Sequence, residues 1–331
     1  MRRFAIGIIL TAVSVGLLVK LIAWESVWGI LQSADERLIA LAVLCLVLSL
    51  VAKTARWRLL LPDETPVPTP RLYRILHISF LLNNVLPARL GDVARIALTS
   101  RQPGLRFGHV LSSLLTERVT DTVTLLACFL AISPFLPVPA AYASLLRAAW
   151  TVLAAAVVLT LAGYFLRDMV RRAVVGRVRL PLPGPLRAET ASFRDGFRLL
   201  FSRRHVLLIW GWSAGAWIGA FAINWFLMAA LHIHTPMAVA VLLTCTTNLA
   251  MLLPSSPGYV GVFHAAATLT LMPFHVEPSA ALSFAILAHL VNVLPVSILG
   301  AFFLLLGRES LSFDLRRLRA TSDASSETPR A

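Results

Sequence analysis

The stretches "LPARLGDV", residues 86–93, and "LPSSPGYV", residues 253–260, decide how this chain is read. Each runs Leu-Pro, three residues, Gly, one residue, Val, and each follows closely on asparagine: Asn83 and Asn84 in the first case, Asn248 in the second. Proline removes a helical hydrogen bond and glycine relaxes the backbone, so both phrases break an apolar run in mid-course. Their surroundings explain why that matters. With 58% hydrophobic residues, 14% charged residues and a mean hydropathy of +0.78, the chain is far more apolar than a soluble domain. Uncharged runs of about 20 residues recur along it, the length that a helix needs to cross a bilayer, so the reading is an all-α polytopic membrane protein.

Thirty basic residues against sixteen acidic ones give a net charge of +14, and all the basic ones except Lys20 and Lys53 are arginine. A pI near 11.3 suits nucleic-acid binding, but these arginines fall between apolar spans, where cytoplasmic loops collect positive charge; no nucleic-acid partner is expected. Cys45, Cys128 and Cys245 each stand alone in an apolar run, without metal or disulfide spacing. "HIH" at 232–234 lacks a third ligand, so no metal and no cofactor is expected.

Arginine placement orients the spans. Arg2 and Arg3 hold the start in the cytoplasm and a first span (4–23) goes out; the stretch 24–37 lies at the outer surface, and 38–55 returns to Arg56, Arg58, Arg71 and Arg74. The apolar run 75–86 is too short to cross a core of about 30 Å, and Arg89, Arg95, Arg101 and Arg106 follow it. This predicts a re-entrant hairpin dipping in from the cytoplasm, with Pro87 and Gly91 at its break and 92–100 as the returning arm. Spans at 109–133 and 148–166 enclose the arginine-free external segment "SPFLPVPAAYAS", and the loop 167–204 holds ten arginines on the cytoplasmic side. A span at 206–231 goes out and one at 279–306 comes back, so 237–272 starts and ends outside. The second break, at Pro254, Pro257, Gly258 and Gly261, therefore belongs to a hairpin entering from the exterior. The expected total is six full spans and two re-entrant hairpins, eight membrane segments in one domain (1–310), followed by a cytoplasmic tail (311–331).

Opposite entry sides for the same phrase are what an inverted repeat produces, with halves at about 1–145 and 146–310. Interrupted segments at matching positions of such halves mark the binding site of a transporter.

Ionisable residues inside a span cost roughly 2.5–3.5 kcal/mol each, which makes them functional candidates. "TERVTD" places Glu117, Arg118 and Asp121 on one side of the 109–133 helix. Arg118 can pair with Asp121 and leave Glu117 free, pair with both and present its remaining donors to a phosphate, or close an ion-pair knot that fixes helix packing. At the first break, Arg89 and the backbone N–H groups near Asp92 form a candidate anion site, unless Arg89 snorkels back to the cytoplasmic face. Asn83, Asn84 and Asn248 suit the satisfaction of carbonyls freed by proline; Ser255 and Ser256 do the same or line the path. His264 follows the second break, and His289 and Asn292 share one face of the last span, as a packing pair or a proton relay. Trp24, Trp28, Trp150, Trp210, Trp212 and Trp217 fall near span ends, as in an aromatic belt.

With "RWRLLL" (56–61), "NNVLPARLGDVARI" (83–96), "LTERVTDTVTLL" (115–126) and "LLPSSPGYVGVFHA" (252–265), the chain resembles the family built on the transmembrane region of lysylphosphatidylglycerol synthase, the flippase-like integral membrane proteins. The resemblance implies about eight membrane segments that move a lipid between leaflets. By motif it carries over Asn84, Pro87, Arg89, Gly91, Asp92 and Arg95, then Glu117, Arg118 and Asp121, then Pro254, Pro257, Gly258 and Gly261. One branch is associated with hopanoid synthesis, and a bacterial-type inner membrane is the implied location, with both termini cytoplasmic. One block departs from the family: Gly-x-x-Glu is here Gly261-Val262-Phe263-His264. Without that carboxylate, a cationic lysyl-type headgroup is disfavoured, and with no aminoacyl-transferase domain within the 331 residues, lipid synthesis is not expected of this chain. The expected partners are membrane lipids with phosphate headgroups, and a lipid or glycan synthase in the case of a membrane anchor. The reading is thus a lipid translocator; an intramembrane enzyme using Glu117 or Asp121 as base, or a non-catalytic partner subunit, are its rivals.

Overall fold

The computed structural model describes residues 24–64, 66–86, 89–136, 151, 189–193, 203–251 and 257–306. The expected first span, the 148–166 span, most of the arginine-rich loop, Pro87, Pro254, Ser255, Ser256 and the tail lie outside the described residues. Within them the fold is all-helical: α1 Trp24–Gln32, α2 Glu36–Leu59, α3 Thr69–Val85, α4 Leu90–Thr99, α5 Phe107–Ile132, α6 Arg203–Ala230, α7 Met237–Ala250, α8 Val262–Leu271 and α9 Pro278–Leu305.

The long helices match the expected spans. α2 is capped by Asp35, whose carboxylate accepts from the Arg37 N–H at 2.8 Å, with Glu36 in its first turn and Arg56 and Arg58 in its last, as the helix dipole favours. α2, α6 from Val206, and α9 are long and apolar enough to cross a membrane. α5 is as long, at 26 residues, but carries Glu117, Arg118 and Asp121. Leu44, Leu48, Leu207, Ile218, Leu290, Leu294 and Ile298 are exposed on α2, α6 and α9. Such unpaired apolar surface is the side that lipid covers.

α2 and α6 cross antiparallel and close. Asp35 N–H donates to the Ala230 carbonyl at 3.0 Å, Ser49 Oγ to the Ala216 carbonyl at 2.8 Å, and Arg56 Nη1 to Ser213 Oγ at 3.1 Å. At the crossing, a Cβ on Gly219 would meet Ser49 Cβ at 3.0 Å, so small residues set the approach.

The two breaks appear as breaks. α3 is 17 residues long and α4 10, about 25 and 15 Å, each short of a bilayer core. Arg71, early in α3, donates to Gln102, just past α4, at 2.7 Å, so α4 folds back along α3. Gly91 makes this possible: an added Cβ would collide with the Ser79 carbonyl and stand 2.6 Å from Asn83 Oδ1. α7 and α8, of 14 and 10 residues, lie side by side, with Thr270 Oγ1 donating to Thr246 Oγ1 at 2.9 Å. α9 packs on α3 through Gly300, whose Cβ would lie 2.5 Å from the His77 carbonyl.

Candidate functional site

The two breaks meet. Gly258, at φ 68°, approaches the backbone so closely that an added Cβ would lie 3.2 Å from the Asn84 carbonyl. Arg89 reaches across the same junction: its Nη2 donates to the Met251 carbonyl at 2.9 Å, at the C-terminal end of α7, and its guanidinium lies 5.9 Å from the Tyr259 ring. A helix C-terminus carries partial negative charge, which suits that cation. Arg89 itself holds φ 54°, ψ 40°, a left-handed conformation uncommon for a side chain with a Cβ and imposed here by the turn into α4. Through its Nη2 Arg89 ties one break to the other, while its side chain also lines an adjoining cavity.

Beside this junction lies a cavity of about 300 Å³. Its wall takes Lys53 from α2, Asn83 and Asn84 from α3, Arg89, and Glu117, Arg118 and Asp121 from α5. Trp217 and Asn224 come from α6, Asn248 from α7, Tyr259 and Phe263 from the second break, and His289 and Asn292 from α9. Both halves of the sequence thus contribute to one hollow, in which charged and amide side chains stand among apolar ones.

The partners of the charges in "TERVTD" come from other helices. Glu117 receives two hydrogen bonds from Arg95 on α4, at 3.2 and 2.7 Å, and has Arg56 on α2 at 3.7 Å. Asp121 is held by both terminal nitrogens of Arg56, at 2.5 and 3.1 Å, and by Trp217 Nε1 at 3.2 Å. Arg118 pairs with Asp92 on α4 at 2.9 Å, and Asp92 also accepts from Asn83 at 3.0 Å. Arg118 thus pairs with Asp92 on α4, while Arg56 and Trp217 hold Asp121. Glu117, Arg95 and Arg56 are buried and Asp121 is partly buried, whereas the Arg118 side chain remains 40% exposed. Arg95 is also stacked on the Trp57 ring at 3.7 Å, a cation–π contact in the same closed layer.

Other expected site residues have structural tasks. Asn84 Nδ2 donates to Ser297 Oγ at 3.0 Å, joining α3 to α9. Asn248 and Asn292 donate to carbonyls one turn back, Thr244 and Ala288, each at 2.8 Å. The His264 ring lies 4.9 Å from that of His289 at a 40° tilt, behind the cavity wall, and its Nδ1 accepts from Gly261 N–H at 3.4 Å at the start of α8. Trp217 is no belt residue: it is 5% exposed and bonded to Asp121, while Trp28, Trp210 and Trp212 are exposed.

Arg56 and Lys53 were legible only in part. Arg56 reads as a cytoplasmic marker at the end of a span, and Lys53 as an isolated charge. They are three apart on one face of α2, and the carboxylate excess over arginine within "TERVTD" is the signal that a cation must arrive from elsewhere. Lys53 stands over the Trp217 ring at 5.9 Å and, among the described residues, has no carboxylate within ion-pair distance.

No curated protein matches the chain. The family described as Lysylphosphatidylglycerol synthase TM region matches residues 4–300, nearly the whole sequence, and includes both breaks, the α5 charges and α9. This chain is therefore a member of the lysylphosphatidylglycerol synthase transmembrane-region family, multi-pass membrane proteins linked to lipid metabolism and translocation.

Proposed function

We propose that this protein is a lipid translocator that moves an anionic phospholipid or a lipid-linked intermediate between leaflets. The observation that carries the reading is the convergence of two helix breaks and an intramembrane charge cluster on one cavity. A headgroup needs a polar, hydrated route while its acyl chains stay in hydrocarbon, and broken helices are the means by which membrane proteins build one. The half-exposed Arg118 has donors beyond the one given to Asp92, and those suit a phosphate.

The topology that goes with this reading has six spans and two re-entrant hairpins, with both termini cytoplasmic in a bacterial-type inner membrane. It also has two halves related by a two-fold axis in the membrane plane. The α2–α6 crossing supports that axis. Leu86 and Leu253, the first residues of the repeated phrases, are 167 positions apart, and so are Ser49 and Ala216, which are bonded at the crossing. Residues on a two-fold axis meet their own equivalents, and an antiparallel crossing requires an axis perpendicular to the helices.

An intramembrane base is disfavoured by the same geometry. Glu117 and Asp121 each accept from arginine with both oxygens, so taking up a proton would give up an ion pair. The test is leaflet exchange of fluorescent anionic lipids in liposomes containing the purified protein, with Arg118→Ala and Arg89→Ala beside wild type. Wild type is expected to exceed empty liposomes and both variants to fall toward them. Exchange equal to empty liposomes for every anionic lipid would remove the reading, and chemical alteration of the lipid would favour an enzyme.

A further inference from the structure

The charges do not cancel when those lining the cavity (Lys53, Arg89, Glu117, Arg118 and Asp121) are taken with their partners behind it (Arg56, Arg95 and Asp92). Arg56 is matched by Asp121, Arg95 by Glu117 and Arg118 by Asp92, three cations against three carboxylates. Lys53 and Arg89 face the same hollow and have no carboxylate within ion-pair distance among the described residues. The C-terminal end of α7, which Arg89 caps, contributes about half a negative charge. About one and a half positive charges are left facing a partly open hollow between packed helices, a state that a counter-anion would relieve. A phosphodiester brings one negative charge; a phosphomonoester brings about 1.5–2 near neutral pH.

Resting on the translocator reading, we infer that the cavity selects a headgroup bearing a phosphomonoester or another dianionic phosphate, with Lys53 and Arg89 as the residues that read its second charge. The pairing of Arg56, Arg95 and Arg118 leaves these two as the cations able to answer it. The exposed donors of Arg118 then take the first charge, as they would for any phosphate. The amides of Asn84 and Asn248 are committed to protein partners, so selection rests on charge more than on hydroxyl recognition. A volume of about 300 Å³ holds a phosphate with several waters and excludes neither arrangement of acyl chains outside it.

The test uses the full chain in detergent, titrated at pH 8 by calorimetry with short-chain phosphatidic acid, a monoester, and with phosphatidylglycerol of the same acyl length, a diester. Wild type is expected to prefer the monoester by about tenfold or more. Lys53→Gln should bring the ratio close to one, and Lys53→Arg should restore it. A wild-type ratio near one, or an unchanged ratio in a Lys53→Gln protein of normal helical content, overturns the inference. Inorganic phosphate is the comparison for source: much weaker binding supports a lipid, and binding as tight as that of phosphatidic acid supports the same dianion chemistry supplied by a soluble phosphate compound. Leaflet exchange without the preference sinks this inference and spares translocation; the preference without exchange does the reverse.

Discussion

Glu117 and Arg95 show what a buried ion pair demands of its neighbours. Each is almost fully buried, and their two hydrogen bonds repay a desolvation cost that neither could meet alone. Arg95→Ala leaves Glu117 with only the more distant Arg56 and should destabilise the protein by about 3–5 kcal/mol. A large drop in the thermal unfolding midpoint in detergent checks it; an unchanged midpoint would mean that water already screens the pair. Gly91 is constrained by space instead of charge. Gly91→Ala drives a methyl into the Ser79 carbonyl and should abolish monodisperse protein, whereas Gly29→Ala, on exposed α1 with nothing within 4 Å, should be neutral or stabilise by roughly 0.5–1 kcal/mol. Size-exclusion profiles of the two variants distinguish these outcomes directly.

Among the elements, the described residues at the junction of the two breaks are joined by single contacts. Arg89 spans it, and Gly258 fits because it has no side chain and tolerates φ 68°. Gly258→Ala adds about 1–2 kcal/mol of backbone strain and presses on the Asn84 carbonyl, separating the breaks while the long helices stay packed. The expected result is unchanged helical circular dichroism with strongly reduced leaflet exchange; full exchange would show that the breaks work without touching. The α2–α6 crossing behaves in the opposite way. Gly219→Leu overpacks against Cys45 and Ser49, and about 1–3 kcal/mol of lost stability should appear as a lower unfolding midpoint.

For the whole molecule, the proposed membrane orientation rests on where arginine is concentrated. Charge near the bilayer resists translocation, so the expected arrangement keeps the ten arginines of 167–204 in the cytoplasm and the arginine-free 133–144 segment outside. In intact cells a membrane-impermeant thiol reagent should label Ser144→Cys, introduced into a chain free of other cysteines, from outside, and should reach Ser202→Cys only after permeabilisation. Reversed labelling would invert the topology and exchange the entry sides of the two breaks.

Span existence was legible because hydrophobic length is a one-dimensional property. Residues 38–55, 109–133, 206–231 and 279–306 coincide with α2, α5, α6 and α9 to within a few positions. The breaks were legible for a similar reason: Pro and Gly act on their own backbone, and α3–α4 and α7–α8 part where they stand. The α5 charges could be named as a site, since an ionisable side chain in hydrocarbon must have a partner. Which partner was beyond the sequence. Arg56, 65 positions from Asp121, read as a loop charge, and Trp217 as an interface residue; only the antiparallel α2–α6 crossing brings both to that carboxylate. Spacing along a helix fixes which side chains share a face, and the packing of helices decides which face meets which. The sequence alone determined the apolar spans, their interruptions and the family; the tertiary structure decided the pairing of charges, and with it which cations were left for a ligand.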